Sequence, residues 1–575
     1  MKKLLPTFVF FSVLIGFNNV SSQEKQKTNF EQKIVLDDSN PSESTQRLVP
    51  INYIYDDGWI PSNPIGEVNS IDSIFLESGT VHISANTVCE ALVVNPGATV
   101  IIDENITLTT VSVDLYSTSS LYSSLVSDGT IIGTVNYHRY TSQIGINDLI
   151  SSPLSGDVFG DFEQLNIGKL AASGDLRAFA PFMTSAGSYQ NYDIITNAAT
   201  GIESGIGYRA ATIDGIALTF TGTVRTDDVL DIPISDATAG GSWNLIGNPY
   251  PSYIDFNAFF ALNKSQLDGG SYQSIYGYNG DPTSGWTVWN QATLDSPIET
   301  EMIAPGQGFF VKAKSGGGLI DFTTSMRCEG GTDDFILGRS ETTSPHYGFI
   351  KLGIESDSQT FNTDFYFNSN ATTGFDPGYD SGLYNQNPTA LSISSRLVEN
   401  DQGMLFGIQS LNPDAMYDIE VPLNVTADQG QQITFSILNT DMPETIDIYL
   451  DDLINNTSTL LTNSDHVFTP TTDISGTGQF LVRFSSNALS DKNPTLDAVN
   501  IFSDTTNKTI VITGQIENHT KANVFDVNGR MITSHNLSSN LDRNIIAVSQ
   551  LSAGIYILEL EDNSNTRRTQ KLVIR

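Results

Sequence analysis

Ser73-Ile74-Phe75-Leu76, Val81-His82-Ile83, Ala91-Leu92-Val93-Val94, Thr99-Val100-Ile101-Ile102 and Ile106-Thr107-Leu108 follow one another with only turn residues between them. The breaks fall at Ser78-Gly79, Asn95-Pro96-Gly97 and Asp103-Glu104-Asn105, and Asp128-Gly129 introduces a further run, Thr130-Ile131-Ile132. Runs this short, rich in β-branched residues and punctuated by Gly, Pro, Asn and Asp, are strands and not turns of a helix. The fold class that follows is all-β. Brief strands at close spacing suit a small β-solenoid or stacked ladder over residues 56–141, whose coils bury a narrow core. A flat sandwich is the alternative, because the period is loose.

Working outward, the next segment, 142–340, contains an internal duplication. Leu149-Ile150-Ser151-Ser152-Pro153 returns as Leu245-Ile246-Gly247-Asn248-Pro249. Gly205-Ile206-Gly207-Tyr208-Arg209-Ala210 returns as Gly306-Gln307-Gly308-Phe309-Phe310-Val311, and Leu218-Thr219-Phe220-Thr221 as Ile320-Asp321-Phe322-Thr323. The offsets between first residues, 96, 101 and 102, keep order and spacing, so two copies of one β-unit (about 142–225 and 240–326) are expected to pack as a pseudo-symmetric pair. One helix is expected near Ile254–Leu262, with Asp255 as its cap. Residues 341–486 read as an antiparallel sandwich or jelly roll. A polar linker at 487–493 precedes an Ig-like sandwich at 494–575.

The amino end reads differently. Met1-Lys2-Lys3, the apolar run Leu4 to Phe17 and the small residues Val20-Ser21-Ser22 are in signal-peptide order, with cleavage expected between Ser22 and Gln23. Residues 1–22 are thus a signal peptide, which implies the Sec machinery, and 23–55 a flexible leader. No later run is apolar for the roughly 18 residues that a membrane helix needs. The net charge of −37 disfavours nucleic acid and anionic lipid as partners. That charge stops short of the tail. From Pro494 onward, eight basic residues (Lys508, Lys521, Arg530, Arg543, Arg567, Arg568, Lys571, Arg575) balance eight acidic ones (Asp497, Asp504, Glu517, Asp526, Asp542, Glu559, Glu561, Asp562). A neutral module on an acidic body has a separate job. The two cysteines, Cys89 and Cys328, either pair in an oxidising compartment or stay as buried thiols.

The tail carries Val524-Phe525-Asp526-Val527-Asn528-Gly529-Arg530, then Leu551-Ser552-Ala553-Gly554-Ile555-Tyr556-Ile557-Leu558, then Lys571-Leu572-Val573-Ile574-Arg575. In this order it resembles the type A C-terminal sorting domain of the type IX (Por) secretion system. Where that family often begins with a Tyr-Pro-Asn-Pro-like segment, this chain has Ile501-Phe502-Ser503-Asp504. The resemblance implies handling by the type IX machinery and delivery to the cell surface or the extracellular space. From the residues themselves, Asn528-Gly529 is expected to form a type I′ turn, and Gly529 and Gly554 to hold conformations closed to β-branched residues. Trp243-Asn244-Leu245-Ile246-Gly247-Asn248-Pro249-Tyr250-Pro251, Ala304-Pro305-Gly306-Gln307-Gly308-Phe309-Phe310-Val311 and Gly374-Phe375-Asp376-Pro377-Gly378-Tyr379-Asp380 are similar to phrases in adhesin-like proteins bearing such a domain.

Motifs for chemistry are scarce. Gly205-Ile206-Gly207-Tyr208-Arg209-Ala210 has dinucleotide-fingerprint glycines but precedes strands, not a helix. The histidines (82, 138, 346, 466, 519 and 535) are scattered, and there is no nucleophile elbow, P-loop or zincin helix. Two constellations have a binding reading. Tyr276, Tyr278, Trp286 and Trp289, with Tyr272, either stack on sugar rings or fill the core of the second copy. Asp364, Asp376 and Asp380, around Gly374 and Gly378, either gather oxygens about a Ca²⁺ ion or make an Asp/Gly turn. No other cofactor is expected. The function read from these features is an exported, non-catalytic structural or adhesive protein. A carbohydrate-binding protein is the alternative, and a secreted hydrolase of polysaccharide or protein a third.

Overall fold

The computed structural model describes residues 49–575 except 238–240, 279–284, 297–301, 331–345, 358, 389, 487–495, 497–498, 505–507, 515, 517–518, 539–542, 563–565 and 575. The cleavage site Ser22–Gln23, most of the expected leader and Arg575 therefore lie outside the described residues.

The short strands build a solenoid. β1 (Asn52–Tyr55), β2 (Ser73–Leu76), β3 (Ala91–Val94), β4 (Thr107–Tyr116) and β5 (Thr130–Thr141) pair in parallel, each on the next. A second parallel ladder joins Thr80–Ile83, Thr99–Ile102 and Ser124–Ser127. Parallel stacking of successive coils is a solenoid and excludes the flat sandwich. Ile74, Leu92, Val113 and Val135, with Val81 and Val100 opposite, fill the narrow core. Residues 52–55, expected to be leader, are its first rung.

The duplication is visible strand by strand. In the first copy β6 (Asp148–Ser151), α1 (Phe159–Leu165), β7 (Phe179–Met183), β8 (Ser188–Tyr189), β9 (Gly207–Ala210) and β10 (Ile216–Gly222) follow in order. Their counterparts are β11 (Trp243–Gly247), α2 (Phe256–Asn263), β12 (Ile275–Gly277), β13 (Thr287–Trp289), β14 (Gly308–Lys312) and β15 (Gly318–Phe322). Leu149 pairs with Arg209 as Leu245 pairs with Phe310, and Ser151 with Gly207 as Gly247 with Gly308. The copies meet across a pseudo-two-fold: Ser151 N–H donates to Gly306 O (2.7 Å) and Gly247 N–H to Gly205 O (3.0 Å). Close approach here needs glycine. A Cβ on Gly207 would lie 2.6 Å from Ile246 O, and one on Gly308 2.9 Å from Ile150 N.

Asp255 caps α2 as expected, accepting from Ala258 N–H at 2.7 Å. The sequence reading missed α1. Each of these two helices runs into an asparagine that ties it to a strand. Asn166 donates to Phe162 O and Thr219 O (2.9 and 2.8 Å) and accepts from Thr219 N–H (2.8 Å). Asn263 repeats this on Phe259 O, Asp321 O and Asp321 N–H (2.9, 2.8 and 2.9 Å). In one respect the copies diverge. β10 pairs antiparallel with β5 and so covers the open edge of the solenoid, whereas β15 pairs with Val229–Ile234.

The following segment is one continuous sheet folded over itself into a sandwich. It includes β16 (His346–Ser356), β17 (Gln359–Asn368), β18 (Ser392–Ser395), β19 (Phe406–Leu411), β20 (Thr457–Leu460), β21 (His466–Phe468) and β22 (Ile474–Ser486). Phe365 and Phe367 meet Phe484 across the layers, with ring centroids 5.8 and 5.0 Å apart. The two edge strands touch where Thr459 Oγ1 and His466 Nδ1 hydrogen-bond at 2.8 Å. Pairing is antiparallel as expected except between β17 and β19, which run parallel.

In the tail, two sheets of three and four strands enclose a separate core around Val524, Leu558 and Leu572. The Asp526–Arg530 turn differs from the expected type I′. Of Asn528 and Gly529 only Gly529 has positive φ (78°), and Asp526 Oδ1 accepts from the N–H groups of Asn528 and Arg530. A type I turn closed by one left-handed glycine does the same job. Gly554 needs no special conformation, since its φ is not positive and a Cβ there meets nothing closer than 3.6 Å. Leu551 packs on the tail core, Tyr556 donates its hydroxyl to Ser552 O (2.9 Å), and Lys571 pairs with Ile557 across the sheet. Cys89, buried in the solenoid, and the half-buried Cys328 are both free thiols.

Asn166→Ala and Asn263→Ala should each destabilise the chain by about 1–3 kcal/mol, since each leaves unbonded an N–H on a neighbouring strand, that of the buried Thr219 or of the half-buried Asp321. Similar losses for the two, measured by urea unfolding, would confirm equivalent roles; a cost at one site alone would contradict them.

Candidate functional site

Two polar seams join the units. At the first, the fully buried Arg139 of β5 donates to Tyr122 Oη (2.8 Å), Gln307 Oε1 (2.8 Å) and Gly306 O (3.4 Å), and lies 3.7 Å from the Asp148 carboxylate. At the second, a strap from the sandwich, Gly378–Gly382, crosses the second copy. Asn290 Nδ2 donates to Ser381 Oγ (2.7 Å) and Tyr379 O (3.0 Å), and Tyr276 Oη to Gly382 O (2.7 Å).

A cavity of about 300 Å³ opens beside this second seam, between the β13 hairpin and strands β17, β18 and β19. One wall is aromatic. Trp286 stacks on Tyr384 with ring centroids 4.5 Å apart and planes 20° from parallel. The lining also carries a polar rail: Asn362 Nδ2 donates to Asp364 Oδ1 (2.7 Å), and Lys351 Nζ lies 3.2 Å from Asp364 Oδ2. Ser392 and Asn385 also line it. The Ser392 Oγ is buried and has no hydrogen-bond partner among the described residues. A cavity lined by stacked aromatic rings and a row of donors and acceptors suits a ring with one apolar face and a polar rim.

Of the aromatic residues singled out from sequence, Trp286 and Trp289 line this cavity. Tyr278 is half-buried, with its hydroxyl 3.2 Å from Ile146 O. Tyr276 is fully buried core, while Trp289, only 2% exposed, packs on Phe256 and borders the cavity. The three aspartates singled out for calcium each have protein partners. Asp380 accepts from the N–H groups of Ser410 (2.7 Å) and Asp376 (2.6 Å), while Asp376 accepts from Thr372 N–H (2.6 Å). These carboxylates hold the strap in its turn, and burial pushes the Asp380 carboxyl well above its usual range. Asp364 is instead paired with Lys351. Among the described residues no group of three His, Cys, Asp or Glu side chains is placed to hold a metal.

Tyr384, Asn362, Lys351 and Ser392 were missed. Tyr384 sits in a loop without periodicity, and the others occupy ordinary strand positions. Only the duplication held a clue. Tyr189 pairs with Phe182, and adding 96 to 182 gives Tyr278, which faces Trp286 when the Ile275–Trp289 register is continued. Trp286 is thus the counterpart of Tyr189. In the first copy the Arg209 guanidinium covers the Tyr189 ring at 4.0 Å; its counterpart in the second copy, Phe310, leaves Trp286 to the cavity.

An acid–imidazole–hydroxyl line crosses the solenoid face. His138 lies 3.2 Å from Asp114 Oδ1 through Nε2 and 3.0 Å from Thr219 Oγ1 through Nδ1. A carboxylate only accepts, so in the neutral ring Nε2 carries the proton and Nδ1 accepts from Thr219. Thr219 is buried and Tyr116 stacks on the imidazole, so the line ties three strands together.

The secretion-system C-terminal sorting domain model matches residues 493–575. This is therefore an all-β multidomain protein exported by the type IX secretion system to the cell surface or extracellular space. Over residues 59–485 the chain belongs to the family described as a domain of unknown function, DUF8693. No curated protein matches it. Among solved structures it is similar, at 10% identity, to PorZ, a surface component of the type IX secretion system of Porphyromonas gingivalis, with a TM-score of 0.14 over 68% of this chain and 67% of that one. The BSP domain of a biofilm-associated protein gives a TM-score of 0.13 at 10% identity, covering 77% and 95%. A Ca²⁺-stabilised, ice-binding adhesin of an Antarctic bacterium gives 0.10 at 10% identity, covering 76% and 99%. Scores this low define no shared fold. No helix among the described residues is long and apolar enough to cross a membrane.

The Asp114 carboxyl is held down to about 2, chiefly by the His138 hydrogen bond acting against burial, with Asn136 and Ser112 assisting. A depressed carboxyl stabilises the fold above its unfolded value near 3.8, and that contribution is lost as pH falls towards 2. Asp114→Asn should cost about 1–2 kcal/mol at pH 6 and progressively less below pH 4 in urea unfolding; a cost independent of pH would contradict this.

Proposed function

We propose that the exported chain is a non-catalytic structural or adhesive protein of the cell surface or extracellular matrix, reached through Sec and then the type IX machinery. The observation that carries this reading is the stitching of both seams by buried polar groups. Arg139 joins the solenoid to the duplicated pair, and Asn290, Ser381 and Tyr276 join the pair to the sandwich. A body tied this way transmits load between the partner it holds and the envelope that displays it. The closed environment of Thr219 and the pairing of Asp364 with Lys351 support binding over hydrolysis. The aromatic wall and polar rail favour a glycan as what is held.

Deleting the gene in the native host should reduce attachment to surfaces or to neighbouring cells several-fold, and the full-length chain should restore it. The purified protein should release no reducing ends from polysaccharides and no peptides from protein substrates. Unchanged attachment, or turnover of any such substrate, would overturn the reading.

A further inference from the structure

We propose that the seam cavity binds one pyranose ring of a neutral saccharide, its C–H face against the Trp286–Tyr384 wall and its hydroxyl rim along Asn362, Asp364, Asn385 and Ser392. This deepens the adhesive reading and rests on it.

Three observations converge. The first is size and chemistry: a volume of about 300 Å³ lies at the lower end for a small-molecule site, and its lining joins stacked aromatic rings to a row of hydrogen-bonding groups, as a sugar ring joins an apolar face to a hydroxyl rim. The second is charge. Lys351 and Asp364 neutralise one another at 3.2 Å, so a ligand with its own charge would have to break that pair, whereas hydroxyls bond to both members without separating them. The third is Ser392. The residue lines the cavity at 9% exposure, while its Oγ is itself buried with no partner among the described residues; a turn about χ1 that brings this hydroxyl to a ligand hydroxyl would recover the free energy that an unbonded buried hydroxyl costs. An aromatic side chain of a peptide would satisfy the wall and leave the rail and Ser392 unused.

Divergence of the copies points the same way. The first copy closes its hairpin aromatic with Arg209 over Tyr189. The second has Phe310 at the matching position, edge-on to Trp286, and its hairpin faces the sandwich across an open space.

The test uses the purified full-length exported chain with a panel of neutral hexose and N-acetylhexosamine oligosaccharides, read by calorimetry and by tryptophan fluorescence. At least one panel member should bind and change the emission. Trp286→Ala and Asn362→Ala should each weaken binding about tenfold or more. Ser392→Val, which keeps the fold of the strand and removes the hydroxyl, should weaken it as well, and so serves if the tryptophan variant unfolds. Failure of every saccharide to bind, binding unchanged in Trp286→Ala and Ser392→Val, or binding of aromatic peptides in place of sugars would overturn the proposal. Cells displaying folded Trp286→Ala protein that attach normally would also reject the saccharide site, while leaving the adhesive role intact. Loss of attachment on gene deletion tests that role separately.

Discussion

A guanidinium removed from water is costly unless charge and hydrogen bonds replace its hydration, and Arg139 meets that demand with groups from three parts of the chain. Tyr122 belongs to the solenoid, Asp148 to the first copy, and Gln307 and Gly306 to the second. No one unit satisfies Arg139 alone. The solenoid is therefore stable in this form only with the duplicated pair in place, and the pair holds its register partly through the same turn. Gly306 O also accepts the Ser151 N–H that ties one copy to the other, so the charged contact and the pseudo-two-fold share an atom.

From that junction the order of the molecule follows. Gly207 and Gly308 let backbones touch on the two-fold, and Asn166 and Asn263 lock a helix onto a strand in each half. The second copy then offers its outer surface to the sandwich, whose strap is fixed by the buried Asp380. What looked from the sequence like a string of separate modules is a set of units whose mutual contacts are polar, specific and internal.

Legibility in the sequence tracked how local the cause was. Strands, the solenoid's short runs, the α2 cap at Asp255 and the duplication depend on neighbours within a few residues or on recurrence, and all could be read. Arg139 could not, because it sits in an alternating strand where a charged residue reads as solvent-facing and only tertiary packing buries it. Tyr276, Trp286 and Trp289 look alike in the sequence, yet tertiary packing buries Tyr276 completely and leaves both tryptophans bordering a cavity. The Asp376–Asp380 cluster was ambiguous for the same reason: a carboxylate that caps backbone N–H groups and one that waits for a cation are spelled identically. Gly554 shows the converse, since a glycine suggests special geometry whether or not the backbone uses it.

The strand β10 lies about eighty residues beyond the solenoid edge that it covers. A chain that emerges amino end first therefore exposes the outer rim of β5, a row of unpaired backbone groups, until residues 216–222 arrive to shield it. Covering that rim takes the chain through Gly222, well past the apparent boundary near residue 141. For a protein that must remain fit for transport across two membranes, this delays commitment to the final shape. It also gives chaperones in the intervening compartment a defined interval in which one raw edge needs guarding.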